Sequence, residues 1–296
     1  MKKYRLYRLL LDMVAVWPLK MLYPLSDTVS FILHRVAKYR VPVVRKNLAM
    51  AFPEKSEAEL KQIEDEFYRH FCDIFVETAK LSRMSERELD RRIRIEGVEH
   101  INSALAQGRS VVLLMGHYGN WEWVTALARR ISPGAVMAEI YHKLNNKDFN
   151  RLMVELRSRF GTENIPMAKT VRRLIEINRE GRQFVCGFIS DQRPFTPELK
   201  HWTDFLGIDT AYVNGGEVIG QKLGTEFLYV ECRPVKRGHY VIEVSPLEPL
   251  NDSEENPYTR AYLARLEQSI RRNPSYWLWS HNRWKRKREV KQLPAK

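Results

Sequence analysis

The sequence predicts an α/β protein in which a mixed central sheet is flanked by helices and preceded by a helical region. Three observations predict it. Residues 1–90 read as helical throughout. From Arg92 onward, short strand-like runs alternate with helical stretches, the pattern of a sheet covered by helices. Near the end, two strand-like runs follow each other closely. Hairpin and crossover connections therefore occur together, and the sheet is mixed. On this reading residues 1–90 are an N-terminal helical, membrane-associating region. Residues 91–296 are the α/β domain, and the two form one continuous structural unit.

The elements follow in order. Met1-Lys-Lys-Tyr-Arg-Leu-Tyr-Arg is basic and aromatic, and a mainly apolar stretch over residues 9–25 succeeds it. That stretch contains Asp12, Pro18 and Lys20, so it makes a poor spanning helix, which wants roughly 20 predominantly apolar residues. No small-x-small cleavage site follows it, so it is a poor signal peptide as well. Leu9, Leu10, Met13, Val14, Trp17 and Met21 recur at helical spacing beside Tyr4, Tyr7, Tyr23 and several cations, as in a helix lying in a membrane interface. The plainer alternative is an amphipathic core helix. Ser56-Glu-Ala-Glu59 has capping-box form and opens a long helix carrying Leu60, Ile63, Phe67, Phe71, Ile74 and Phe75. Ser85 and Glu88 open a short one. Strands are expected at residues 92–96, 110–115, 135–141, 183–189, 225–233 and 239–245. Helices are expected at residues 121–131, 147–160, 169–180 and 258–272.

Composition bounds the function. Among 296 residues, 49 Lys and Arg against 36 Asp and Glu leave a formal charge of +13, which calls for an acidic partner: anionic lipid, nucleic acid or an acidic carrier protein. A hydrophobic share of 44% with 29% charged residues is a globular composition. Three widely spaced cysteines, Cys72, Cys186 and Cys232, argue against both a disulfide framework and a thiolate metal site. No metal or cofactor is expected.

The chemistry concentrates where the buried run ending at Met115 meets Gly116-His117-Tyr118-Gly119-Asn120-Trp121-Glu122. On one continuous helix, five positions advance ~500°, so His117 and Glu122 would point apart. They meet if His117 lies on the turn and Glu122 in the first helical turn, with Gly116 and Gly119 making the turn and Asn120 as N-cap. Glu122 then orients the imidazole, and its other nitrogen acts as a base. The helix N-terminus, at Gly119 and Asn120, offers N–H groups to a developing anion. A His–carboxylate pair without a neighbouring Ser or Cys nucleophile suggests direct deprotonation of a substrate hydroxyl. The plainer alternative is a structural histidine.

The motif and its surroundings resemble the bacterial lipid A biosynthesis acyltransferases, the late lauroyl and myristoyl transferases, within the wider glycerolipid acyltransferase superfamily whose core is His-x4-Asp/Glu. Blocks in the same order carry the resemblance: Arg45-Lys-Asn47-Leu48 through Phe52-Pro53, His117 to Glu122, Ser190-Asp191-Gln192, and Pro274-Ser-Tyr-Trp277-Leu-Trp279-Ser-His281-Asn-Arg283-Trp284-Lys285. Two blocks depart from the family pattern, Tyr141-His142-Lys143 through Lys147 and Thr203-Asp204-Phe205-Leu206-Gly207, and bear on the acceptor. The resemblance implies a glycerolipid-acyltransferase-like fold at the cytoplasmic face of the bacterial inner membrane. It implies transfer from an acyl thioester, on acyl carrier protein or coenzyme A, to a hydroxyl of a membrane glycolipid of the lipid A type. His117 would be the base and Glu122 its orienter.

Further candidates stand around this pair. Arg157 and Arg159 could contact phosphate or the oxyanion, and Asp191, at a strand end, could wall the site. Trp17, Trp277, Trp279, Arg283, Trp284 and Lys285 mix aromatics with cations, as an anionic membrane surface or an acidic carrier would require. Lys222, Arg233, Lys236 and Arg237 add cations for a carrier. Two other readings compete. One keeps the pair and changes the acceptor to another membrane lipid, an aminolipid or a glycosylated phospholipid. The other is a basic nucleic-acid-binding protein, which the Trp/Arg tail would suit. No helix-turn-helix, RNA-recognition or zinc-finger pattern supports it, and no nucleic acid is expected.

Overall fold

The computed structural model describes residues 2–194, 199–250 and 255–288. Helix α1 (Lys2–Val16) ends before Pro18, and α2 (Leu19–Phe31) starts just after it and runs into a π turn, Ile32–Val36. Among the described residues no single helix is long and apolar enough to cross a membrane. Lys3–Val16 and Leu19–Val36 meet the length and composition only together, as a pair bent by 118°. Helix α3 (Val41–Ala51) has a proline in its first turn. Helix α4 (Glu57–Leu81) begins with the complete capping box of Ser56 and Glu59, and α5 (Glu86–Arg92) with Ser85 accepting from the Glu88 amide.

Beyond them come β1 (Ile93–Glu96), α6 (Val98–Ala106), β2 (Val111–Met115), a 3-10 helix (Trp121–Arg130), β3 (Val136–Tyr141), α7 (Lys147–Arg157), β4 (Glu163–Pro166), α8 (Thr170–Arg179) and β5 (Phe184–Ile189). A small hairpin of β6 (Trp202–Phe205) and β7 (Ile208–Ala211) stands apart from the main sheet. Then follow α9 (Gly215–Leu223), the antiparallel pair β8 (Glu226–Lys236) and β9 (His239–Pro246), and α10 (Pro257–Arg272). The main sheet has seven strands in the order β1-β9-β8-β2-β5-β3-β4, with every pairing parallel except β8–β9. The expected mixed α/β sheet is present. The expected strands and helices all appear, and β4, the β6–β7 hairpin, α6 and α9 are additions. The segment after Asn120 forms a 3-10 rather than an α-helix. Trp121, Trp123, Val124 and Thr125 are indifferent α-helix formers, in keeping with that difference.

All five residues of β2 are buried, as expected of a central parallel strand. Its even positions, Val112 and Leu114, face a core with α8, α9, α10 and the C-terminal tryptophans. Its odd positions, Val111, Leu113 and Met115, face a core with α6, the 3-10 helix, and Leu19 and Leu22 of α2. Polar ties join the N-terminal helices to the sheet. Arg237, in the β8–β9 turn, pairs with Asp27 of α2 and Asp73 of α4, each at 2.7 Å, so it is already engaged within the chain. The outer face of α1, α2 and the π turn is different. Leu9, Met13, Trp17, Met21 and Phe31 are each at least 51% exposed.

Candidate active site

The parallel register sets the site. Met115 stands opposite Ile189, so β2 and β5 end side by side and their following loops meet. His117 lies beyond the end of β2 and Asp191 beyond the end of β5. Asp191 Oδ1 lies 2.6 Å from His117 Nδ1, and Oδ2 accepts from the His117 backbone N–H at 2.9 Å and from Trp277 Nε1 at 2.8 Å. The carboxylate is almost completely buried. Burial opposes its ionisation, but the adjoining imidazole and the Trp277 donor outweigh it and hold the group down at about 2. His117 Nε2 faces the amide nitrogen of Gln192 at 3.3 Å, and Trp121 packs edge-on against the ring.

The residue that orients His117 is therefore Asp191, not Glu122. Glu122 turns away to Arg157, which donates Nε to Oε2 at 2.8 Å and Nη2 to Oε1 at 2.5 Å, the bidentate fork that guanidinium and carboxylate form best. Once Trp121 opens a 3-10 helix, the Glu122 side chain is carried toward α7. Arg157 stays firmly protonated: burial works against the charge, and the Glu122 pair overrides it. Glu139 of β3 stands near this pair, and burial pushes its carboxyl up to about 8.

The loop holding His117 is pinned on several sides. Gly119 has φ +62°, and a Cβ there would lie 1.9 Å from the Cys232 carbonyl oxygen, so no side chain fits. Its N–H donates to Tyr276 O and its carbonyl accepts from His70 Nε2, both at 3.0 Å. Burial lowers His70 to about 4, which keeps it a neutral donor. Asn120 makes no side-chain cap; its amide donates to Glu77 at 2.7 Å. The Gly119 N–H and carbonyl and the Asn120 side-chain amide nitrogen are thus engaged by the scaffold, while the Asn120 Oδ1 has no hydrogen-bond partner among the described residues. Glu77 also accepts from Tyr23 of α2 at 3.0 Å and Tyr240 of β9 at 2.7 Å. Burial pushes Glu77 up to about 7.

His117 opens onto a cavity of about 810 Å³, within the usual range for ligand sites. Its walls are mostly apolar, including Leu113, Met115, Val124, Met137, Leu156 and Phe188. Leu11 of α1 forms part of the wall, and α1 is tied over α7 by Tyr4 to Glu155 at 2.5 Å and by Asn146 to Tyr7 at 2.9 Å. Glu122, Arg157, Glu139 and Gln192 supply polar groups to the lining.

Of the predicted residues, His117, Glu122 and Arg157 meet at this cavity, with Asp191 directly behind His117. Arg159 does not: it donates to Met84 O and stacks over Phe160. Trp277, Trp279 and Trp284 are not surface contacts either. All are buried, and each indole N–H has an internal acceptor: Asp191, Pro274 O and Thr210 Oγ1. Arg283 is buried too, and the shielding lowers its guanidinium to about 10. Trp17 and Lys285 remain exposed. Of the departing blocks, Tyr141 and His142 line the cavity, whereas Phe205 packs against Trp277 outside it. Sequence reasoning missed His70 and Glu77. Their signal is a pair of ionisable residues, seven apart, on the buried face of α4.

The chain is similar to known proteins along almost its whole length. The family model for bacterial lipid A biosynthesis acyltransferases matches residues 2–286. A lipid A biosynthesis acyltransferase of Haemophilus influenzae is 22% identical over 249 residues, 83% of this chain and 76% of the relative. The lipid A biosynthesis lauroyltransferase of Escherichia coli is 24% identical over 285 residues, 94% of this chain and 89% of the relative. A phosphatidylinositol mannoside acyltransferase of Mycobacterium tuberculosis is 25% identical over 226 residues, 74% of this chain and 68% of the relative.

Proposed function

The chain belongs to the bacterial lipid A biosynthesis acyltransferase family and is an acyltransferase; from that premise we propose that it moves a fatty acyl chain from an acyl-carrier-protein thioester to a hydroxyl of a lipid A precursor, with His117 as general base. The observation that carries the reading is one imidazole with Nδ1 locked on a buried carboxylate, Nε2 toward the Gln192 amide, and the residue lining a mainly apolar cavity.

Asp191 fixes the tautomer with the proton on Nδ1, leaving Nε2 to accept. The acceptor hydroxyl displaces the Gln192 amide from Nε2 and gives up its proton there. Its oxygen attacks the thioester carbon, and the carbonyl becomes an oxyanion. Arg157, held by Glu122, faces that charge or an acceptor phosphate. As the tetrahedral intermediate collapses, the C–S bond breaks and the thiolate takes the proton from His117. No covalent acyl-enzyme is needed. In this scheme Glu122 is a positioning residue for Arg157, and Asp191 is one for His117.

The acceptor is a membrane lipid, and the exposed apolar face of α1, α2 and the π turn suits an interfacial seat on an anionic inner membrane, at its cytoplasmic side. The M. tuberculosis relative supports a second acceptor, a glycosylated phospholipid, with the same chemistry. The test is purified protein in mixed vesicles with myristoyl- or lauroyl-carrier protein and, in parallel, a lipid A precursor or a phosphatidylinositol mannoside. Mass spectrometry should find the precursor heavier by one acyl group. Acylation of the mannoside alone would move the acceptor, and transfer only from coenzyme A would move the donor. Full activity of His117→Ala would remove the base assignment.

A further inference from the structure

Gly187 lies inside β5, in the middle of the main sheet, where glycine weakens a strand and offers nothing to pack. Among the described residues it is the only glycine within a strand. Its backbone does not require glycine, because its φ is not positive. Close packing does not require it either: a Cβ there would meet nothing nearer than the Ala138 carbonyl oxygen, at 3.9 Å. Gly216, on the opposite face, differs. A Cβ at that position would meet Leu114 and Phe188 at 3.1 Å, so packing accounts for it.

What Gly187 does have is empty space in front of it. In the register it stands between Leu113 of β2 and Glu139 of β3, and all three line the cavity below His117. Leu113 is four residues before His117, so Gly187 lies roughly 13 Å down the sheet from the base at the rise of a parallel strand. Leu113, Met137 and Val124 close the same wall with apolar side chains. A strand glycine with neither a backbone nor a packing reason marks a place where a ligand lies close to the sheet.

We propose that the donor's acyl chain runs down this face of the sheet and crosses β5 at Gly187, so that the missing side chain sets how long a chain the cavity admits. The inference rests on reading the cavity as the acyl site, and it names the residue that gives that site its depth. A side chain at Gly187 projects into the path and excludes the distal methylenes, leaving the thioester's placement at His117 unchanged.

The test uses the full chain with Gly187→Ala and Gly187→Val. Neither substitution strains the backbone, and valine suits a strand. Rates are measured with acyl-carrier-protein donors from octanoyl to palmitoyl. Binding is measured separately, by displacing a fluorescent fatty acid with octanoate through palmitate. Gly187→Val should shift the preference toward shorter donors, by about tenfold or more in the ratio of kcat/KM values for long and short chains, the scale of methylene discrimination in an apolar pocket. Gly187→Ala should shift it in the same direction by less. Fatty-acid affinity, rising with length in the native protein, should level off at a shorter chain in Gly187→Val. An unchanged length profile, or an equal loss at every length in both variants, overturns the assignment while leaving the acyl site intact. A native protein whose fatty-acid affinity does not depend on length overturns the acyl-site reading, and the assignment with it.

Discussion

The strand-end site and the N-terminal helices solve opposite problems. Around His117 the carboxylates and indoles are matched within the chain: Asp191 takes three donors, Glu77 takes three side-chain donors, Glu122 takes Arg157, and the tryptophan N–H groups are satisfied, while Asn120 Oδ1 and two Arg283 nitrogens are buried without a partner among the described residues. Along α1, α2 and the π turn, large apolar side chains face outward and stay about half exposed among the described residues. The first region turns its charged groups toward partners inside the fold, and the second is fitted for contact with something apolar. The contrast teaches that the strand-end site and the exposed apolar face are built on separate elements, with Glu77 at their seam, because it binds Tyr23 on one side and Asn120 on the other.

The largest expected effect sharpens the contrast. His117→Ala should lower turnover by roughly 10²–10⁴-fold, the usual worth of a general base. Asp191→Asn should cost almost as much. The double variant should be little worse than either alone, since the pair acts as a unit. Glu122→Gln and Arg157→Ala should show the same non-additivity with each other, and near-additivity with Asp191→Asn. Strong coupling of Glu122 to His117 instead would restore Glu122 as its orienter.

The seam is tested through pH. Glu77 has a folded pKa of about 7, above the ordinary 4.5 of an unfolded glutamate, so it holds a proton that the unfolded chain releases earlier. Its contribution is full below about pH 4.5 and disappears as the pH rises through 7, on the order of 3 kcal/mol. Urea unfolding should show stability falling between pH 5 and 8, and Glu77→Gln should flatten that slope. Asp191 has the opposite sign. Its folded pKa is depressed, so its contribution is present above about pH 4 and is lost as the pH falls through 2.

The smallest effect on folding belongs to the outer helices. Leu9→Gln and Met13→Gln should change unfolding free energy by less than about 0.5 kcal/mol, since the side chains are already exposed. Each should nonetheless weaken binding to anionic vesicles by about tenfold, from ~1.5–3 kcal/mol per buried apolar side chain. A large loss of stability with unchanged vesicle binding would erase the distinction between the two regions.

Much of this was legible in the residues. The buried run before Gly116 and the capping residues of α4 and α5 read directly as elements, and His117 stood out at the end of its strand. The partner of His117 was not legible, because Asp191 is 74 positions away and reaches it only through the β2–β5 register. Glu122, five positions along, was the nearer carboxylate in sequence but points elsewhere in a 3-10 helix. The C-terminal tryptophans misled for a related reason. Interleaved Trp and Arg describe an interface when their polar tips lack partners, and here those partners come from distant loops. The short elements β4, β6, β7, α6 and α9 carry too few residues for a periodic signal.

Leu11 gives the outer helices a second consequence. It belongs to a helix whose other face is open, and it is also a wall of the cavity below His117. A detergent tail that wedges under α1 therefore competes with the acyl chain for the same space. Solubilisation should raise KM for the acyl donor in proportion to free detergent while leaving kcat unchanged, and return to vesicles should reverse it.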